Sequence, residues 1–312
     1  MERTIKRTRS IVVVFLCVCW VPGIVLAEDI YQIYAPPTPS SIPFVLAARQ
    51  MDNVDVTIFS SHSQANTLFL RGDIPILVTG LSVGINFFNN GVPIQIVNSY
   101  VSGLTYLVTR DKAVTSLKEL QGQEIYLPFE GAPIEEITKF FAQQEGVQWG
   151  DELRPMYAPL QSTLKLMKQG KIAAAPLPQP LATIAAAQEN IFLSFGYKDK
   201  WESITGQTDG YPQVGTFVKK EWAERHHDLI ASLHQELERA LRMIKDDPEQ
   251  AVQQTQEVFQ FPAPVLLASL KNISFALTTA TVLQHDIEEY YQLLGHPLDE
   301  KAFTTFFYLG SK

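Results

Sequence analysis

Hydroxyl, amide and ring-bearing side chains recur in this chain wherever an apolar segment gives way to a turn. Thr38, Ser40 and Ser41 follow Ile30–Tyr34. Ser60, Ser61, His62 and Gln64 follow Val54–Phe59, and Thr79 and Ser82 follow Ile74–Val78. Further along come Tyr100 and Ser102, then Phe129, Glu130 and Gly131, then Gln179, and last Tyr211 and Gln213. Such groups do non-covalent chemistry: they exchange neutral hydrogen bonds and cover the faces of flat molecules. Ser and Gly also fill loops simply because they make turns, so the weight falls on the recurrence rather than on any one residue.

Covalent and metal chemistry find less support. His226 and His227 fall on the polar side of a long helical pattern. His234, His285 and His296 lack companion ligands at metal spacing. Of the six histidines only His62 stands in a candidate loop. Gly80-Leu-Ser-Val-Gly84 has the spacing of a nucleophile elbow and follows a strand, but no Asp…His order is obvious downstream. There is no P-loop and no dinucleotide fingerprint. No catalytic residue, metal ligand or cofactor is expected.

Alternating strand and helix patterns position these groups. Strands are expected at Ile30–Tyr34, Val54–Phe59, Ile74–Val78, Ile94–Val97, Thr105–Thr109, Glu124–Leu127, Ile172–Ala175 and Gly215–Lys219. Helices are expected at Phe44–Gln50, Gln64–Arg71, Ile134–Glu145, Leu160–Gln169 and Leu181–Gln188, with a short one opened by Ser116 and closed by Gly122. After Trp222 the pattern is nearly all helical. Repeated strand–helix units predict α/β lobes with mostly parallel sheets, and ligands gather beyond the carboxyl ends of such strands. Two series are visible without a flexible linker between them. The chain is therefore expected to cross between lobes near Leu104–Thr109 and Gly215–Lys219. Residues 28–106 would form the first part of lobe I, 107–216 lobe II, and 217–312 the return to lobe I.

The first 27 residues set the compartment. Arg3, Lys6, Arg7 and Arg9 precede the apolar run Ile11–Val21, then Pro22-Gly23 and the small-residue end at Ala27. This is the layout of a secretory signal peptide, and the run is too short to span a bilayer, which needs about 20 residues. Cleavage near Ala27 would also remove Cys17 and Cys19, the only cysteines. That excludes a disulfide scaffold and a thiolate nucleophile in the exported chain, and it suits a periplasm. The net charge of −8, with no basic stripe, argues against nucleic acid and anionic membranes as partners.

Three stretches carry a family resemblance: Gly72-Asp-Ile-Pro-Ile-Leu-Val-Thr-Gly80, Asn90-Gly-Val-Pro-Ile94 and Ser116-Leu-Lys-Glu-Leu-Gln-Gly-Gln-Glu-Ile125. With Lys168-Gln-Gly-Lys-Ile-Ala-Ala-Ala175, Pro178, Pro180 and Lys219-Lys-Glu-Trp222, they resemble the substrate-binding proteins of ABC importers, of the nitrate, sulfonate, taurine and thiamine-precursor type. The resemblance implies a two-lobed type II periplasmic-binding-protein fold with a mainly helical C-terminal part. It also implies a monomeric periplasmic protein that closes on a small molecule and delivers it to an inner-membrane permease. An exported sensor for a receptor kinase, or an enzyme on the same fold akin to chorismate dehydratase, are the alternatives.

The chain departs from that family at Ala173-Ala174, where an acid is common, and at Phe129-Glu130-Gly131, which replaces a small hydroxyl-rich turn. A helix starting at Pro133 would offer an anion about half a positive charge, and Glu130 at its mouth would oppose it. Arg49, Arg71 and Arg110 lie outside the candidate loops. The expected ligand is therefore neutral or amine-bearing and partly aromatic, a thiamine-precursor pyrimidine being one example.

Overall fold

A computed structural model describes residues 30–299 and 303–310; the leader expected over residues 1–27 lies outside them. The strands are β1 (Tyr31–Ala35), β2 (Val54–Ile58), β3 (Ile76–Gly80), β4 (Ile94–Gly103), β5 (Thr105–Arg110), β6 (Gln123–Leu127), β7 (Leu153–Tyr157), β8 (Ala174–Pro178), β9 (Ile191–Gly196), β10 (Val214–Lys219) and β11 (Ser274–Thr279). They form two sheets, ordered β11-β4-β10-β3-β1-β2 and β7-β6-β8-β5-β9. Central strands such as β3, with Ile76-Leu-Val78, are buried and largely apolar because helices cover both faces.

Both sheets are mixed where mostly parallel ones were expected. The β2-β1-β3 and β7-β6-β8 portions are parallel. The strands that carry the chain into each sheet run against their neighbours: β5 is antiparallel to β8 and β9, and β10 to β3 and β4. The first change of sheet takes the single residue Leu104. The second precedes Val214, since β10 lies wholly in the first sheet. The expected boundaries at 106/107 and 216/217 thus fall inside β5 and β10.

Local chemistry explains most of the other elements. The helix His62–Arg71 opens on Ser61, whose hydroxyl accepts from Gln64 N at 3.3 Å, and ends on Gly72 at φ +83°. The helix His227–Asp246 buries Ile230, Leu233, Leu237, Ala240 and Ile244 at three- and four-residue spacing. Each Leu or Ile removed from water there contributes about 1.5–3 kcal/mol. Strand β8 runs through Pro176 to Pro178 rather than stopping at Ala175. This is tolerated because its ladder with β6 has shrunk to the Ile125–Ala174 pair, so the missing N–H groups break little pairing. Between Ser116 and Gly122 the chain forms a 3-10 turn, Leu117–Leu120, rather than an α-helix. The C-terminal third also contains β11, so it is not purely helical. Among the described residues no helix is long and apolar enough to cross a membrane.

Candidate ligand-binding cleft

A cavity of about 890 Å³ opens between the two sheets, where the carboxyl ends of β1, β3, β6, β7 and β8 meet. Residues at the ends of first-sheet strands or just after them line one wall: Thr38, Ser40, Ser60, His62, Thr79 and Ser82. Residues after second-sheet strands line the other: Phe129, Pro133, Glu136, Leu160, Gln179 and Leu181. Tyr211 and Gln213, on the return segment, and Gln260, Phe261, Tyr290 and Tyr291, from the C-terminal third, complete it.

The structure distributes the sequence-expected residues unevenly. Thr38, Ser40, His62, Thr79, Ser82, Phe129, Gln179 and Tyr211 come together around the cavity. The others lie elsewhere. Ser41 is fully buried and donates to Pro36 O at 2.7 Å. Ser61 is occupied as a helix cap, and Gln64 is exposed one turn further along that helix. Tyr100 is buried against Phe44 with ring centroids 4.9 Å apart. Ser102 lines a separate cavity of about 380 Å³ behind Tyr211 and Tyr290. Glu130 and Gly131 are exposed and outside the lining. The carboxylate that serves the helix Pro133–Gln144 is instead that of Glu135, which accepts from Gly131 N at 2.5 Å and from the Tyr157 hydroxyl at 2.6 Å.

Two properties define what the cleft can hold. First, eight prolines line it: Pro36, Pro37, Pro128, Pro133, Pro159, Pro178, Pro180 and Pro212. Each lacks a backbone donor, and most of them sit at a strand end or helix start, where such donors otherwise grip anions. Second, the lining holds no Lys or Arg, and its one carboxylate is Glu136. Burial raises the Glu136 pKa, partly offset by His296, and lowers that of His62. His62 is therefore neutral near pH 7.

The fully buried polar groups left free in the lining are amides. Gln179 Oε1 accepts from Thr183 Oγ1 at 2.7 Å, while its Nε2 is buried without a partner. Gln213 Nε2 is buried and unpartnered as well. An unpaired buried donor costs about 1–3 kcal/mol, which a ligand acceptor would recover. The aromatic wall is continuous. Tyr211 stacks on Tyr290 at 5.3 Å and 6°, and Trp201 packs on both, 5.4 Å from Tyr211 and 5.3 Å from Tyr290.

Glu136, Gln260, Phe261, Tyr290 and Tyr291 were not anticipated from the sequence. They reach the cleft from a helical turn and from the C-terminal third rather than from loops after expected strands. The Pro133-Ile-Glu-Glu136 start marks a helix but does not say which acid turns inward, and Tyr290-Tyr291 reads as a buried face of its helix. Among the described residues no group of three or more His, Cys, Asp or Glu is placed to hold a metal ion.

No family model and no curated protein matches the sequence. Solved structures do match. An ABC transporter protein from Parabacteroides distasonis has a TM-score of 0.71 at 17% identity, over 91% of this chain and 97% of that one. The periplasmic aliphatic sulphonate binding protein SsuA of Escherichia coli has a TM-score of 0.72 at 15% identity, over 92% and 94%. The periplasmic nitrate-binding protein NrtA of Synechocystis has 0.65 at 12%, over 81% and 74%. The fold is that of the periplasmic solute-binding proteins: two mixed α/β sheets flanked by helices, with a cleft between them.

Proposed function

We propose that this chain is the extracytoplasmic solute-binding component of an ABC importer. In this reading the leader is cleaved near Ala27 and the monomeric protein works in the periplasm. Its two lobes are the bodies built on the two sheets. A small solute entering the cleft touches both, so binding favours the closed arrangement, and a membrane permease reads that surface. No covalent step is involved.

The cation-free, proline-rich lining carries the assignment of solute class. The sulphonate- and nitrate-binding proteins share the fold, but this cleft is lined by eight prolines and offers no Lys or Arg to an oxyanion. What it offers are ring faces, two unpaired amides, hydroxyls and one carboxylate. A neutral or amine-bearing solute with a heteroaromatic body satisfies these groups, a thiamine-precursor pyrimidine being an example. The test is mass spectrometry of small molecules released when the purified protein is denatured, followed by calorimetry. Recovery of a nitrogen-containing aromatic supports the reading. Nanomolar binding of nitrate or an alkanesulfonate, or turnover of the recovered molecule, overturns it.

A further inference from the structure

We infer that Glu136, which lines the cleft together with Tyr290 and Tyr291, is an ammonium-recognition subsite, and that the natural solute is an organic cation with a flat, uncharged body. This rests on the solute-binding reading above and narrows it.

The two acids of one helical turn behave differently. Glu135 is 8% exposed and spent: its two oxygens take Gly131 N and the Tyr157 hydroxyl. Glu136 is half-buried and lines the cavity, and its carboxylate forms no hydrogen bond or salt bridge with any described residue. A carboxylate partly removed from water and left unpaired is unfavourable, and a cation is its natural complement. An exposed acid would have no such demand. His296 is near enough to ease that burial but forms no salt bridge with it, so a cation in the cleft can take the place of a direct partner.

The surroundings select the kind of cation. The Tyr290 and Tyr291 phenols lie within the field of Glu136, and Tyr290 continues into the Tyr211 and Trp201 stack. Ring faces attract weakly hydrated organic ammonium groups, whereas a bare metal ion wants several oxygen ligands. The tyrosines come from the helix Ala280–Leu293, which packs on β11 and β4 of the first sheet, and Glu136 from a helix of the second half. A cation held here therefore ties the two halves together. The rest of the solute would extend towards Gln179 and Gln213, whose free amides suit acceptor atoms rather than further positive charge.

Four probes of similar shape test this: benzyltrimethylammonium, benzylamine, benzyl alcohol and benzenesulfonate, titrated by calorimetry into the wild-type chain, Glu136→Gln and Glu136→Asp. In the wild type the two ammonium probes are expected to bind at least tenfold more tightly than benzyl alcohol, with benzenesulfonate the weakest. Glu136→Gln should bring the ammonium-to-alcohol ratio near one without weakening benzyl alcohol or lowering the melting temperature. Glu136→Asp should keep part of the preference. Equal binding of cation and alcohol by the wild type, an unchanged ratio in Glu136→Gln, or no probe binding at millimolar concentration overturns the subsite. The solute released from the purified wild type separates the two readings. A recovered neutral molecule removes only the ammonium assignment. Absence of any solute-induced stabilisation across a broad metabolite panel removes the solute-binding reading with it.

Discussion

The two walls of the cleft are built from the same unit, a strand running into a helix, yet they present opposite chemistry. The first-sheet wall carries the hydroxyls of Thr38, Ser40, Ser60, Thr79 and Ser82. It also carries the start of the helix Leu81–Asn89, which has no side-chain cap. The second-sheet wall carries Pro128, Pro133, Pro159, Pro178 and Pro180, with Phe129 and Glu136. The shared topology supplies the concavity, and the residue at each strand–helix junction decides whether that concavity offers donors. A solute that fills both halves must itself be two-faced, polar towards one wall and apolar or cationic towards the other.

Disturbing the scaffold beneath the hydroxyl wall should have the largest effect. Gly84 lies in the helix Leu81–Asn89, and a Cβ there would overlap the Phe217 ring on β10. Gly84→Ala is expected to lower stability by about 1–3 kcal/mol in urea denaturation, and Phe217→Leu added to it should recover part of the loss. Full stability in the single variant would show that the wall does not depend on this contact.

Acidity should act on the other wall. The Glu136 pKa lies above its ordinary value of 4.5, so the folded protein holds this proton more tightly than the unfolded chain. The ligand-free protein should therefore lose stability from this group as pH rises from 4.5 through the raised value, and Glu136→Gln should remove that component. Ammonium probes need the ionised form, so their affinity should fall as pH drops through the same window, approaching tenfold per unit below it. Benzyl alcohol should be unaffected, and equal pH profiles for the two probes would count against the difference between the walls.

Smaller changes sharpen the contrast. Phe129 is 56% exposed at the cleft, so Phe129→Ala should leave the melting temperature unchanged and weaken the co-purified solute by about five- to tenfold in calorimetry. Thr79→Val removes a hydroxyl of the opposite wall and should cost about 1 kcal/mol of binding, roughly fivefold, for cationic and neutral probes alike. A charge-selective effect of Thr79→Val would reverse the roles given to the two sides.

The central strands were legible in the sequence, and three edge strands were not. Strands β3 and β8 announce themselves as largely apolar runs ending in Gly or Pro, because covered strands have no polar face. The strands β7, β9 and β11 all lie at sheet edges. Their residues are largely half-exposed, so no continuous apolar run or clean alternation marks them. The cleft divides similarly. Loops after recognised strands yielded Thr38, Thr79, Phe129 and Gln179. Glu136, Tyr290 and Tyr291 owe their position to how a C-terminal helix packs across the cleft, a relation between residues more than 150 positions apart that no local pattern encodes.

The unpaired amides occupy mechanically special places. Gln179 N donates to Leu104 O at 2.9 Å, and Gln213 N donates to Val101 O at 3.0 Å, so both are fastened to the chain where it passes between sheets. If the halves turn about that line, these two residues stand near the pivot, while Phe129 rides at the end of a lever. Atoms near an axis hardly travel, so the amides can identify a visitor before the jaws move, leaving the distant rim to convert that identification into displacement.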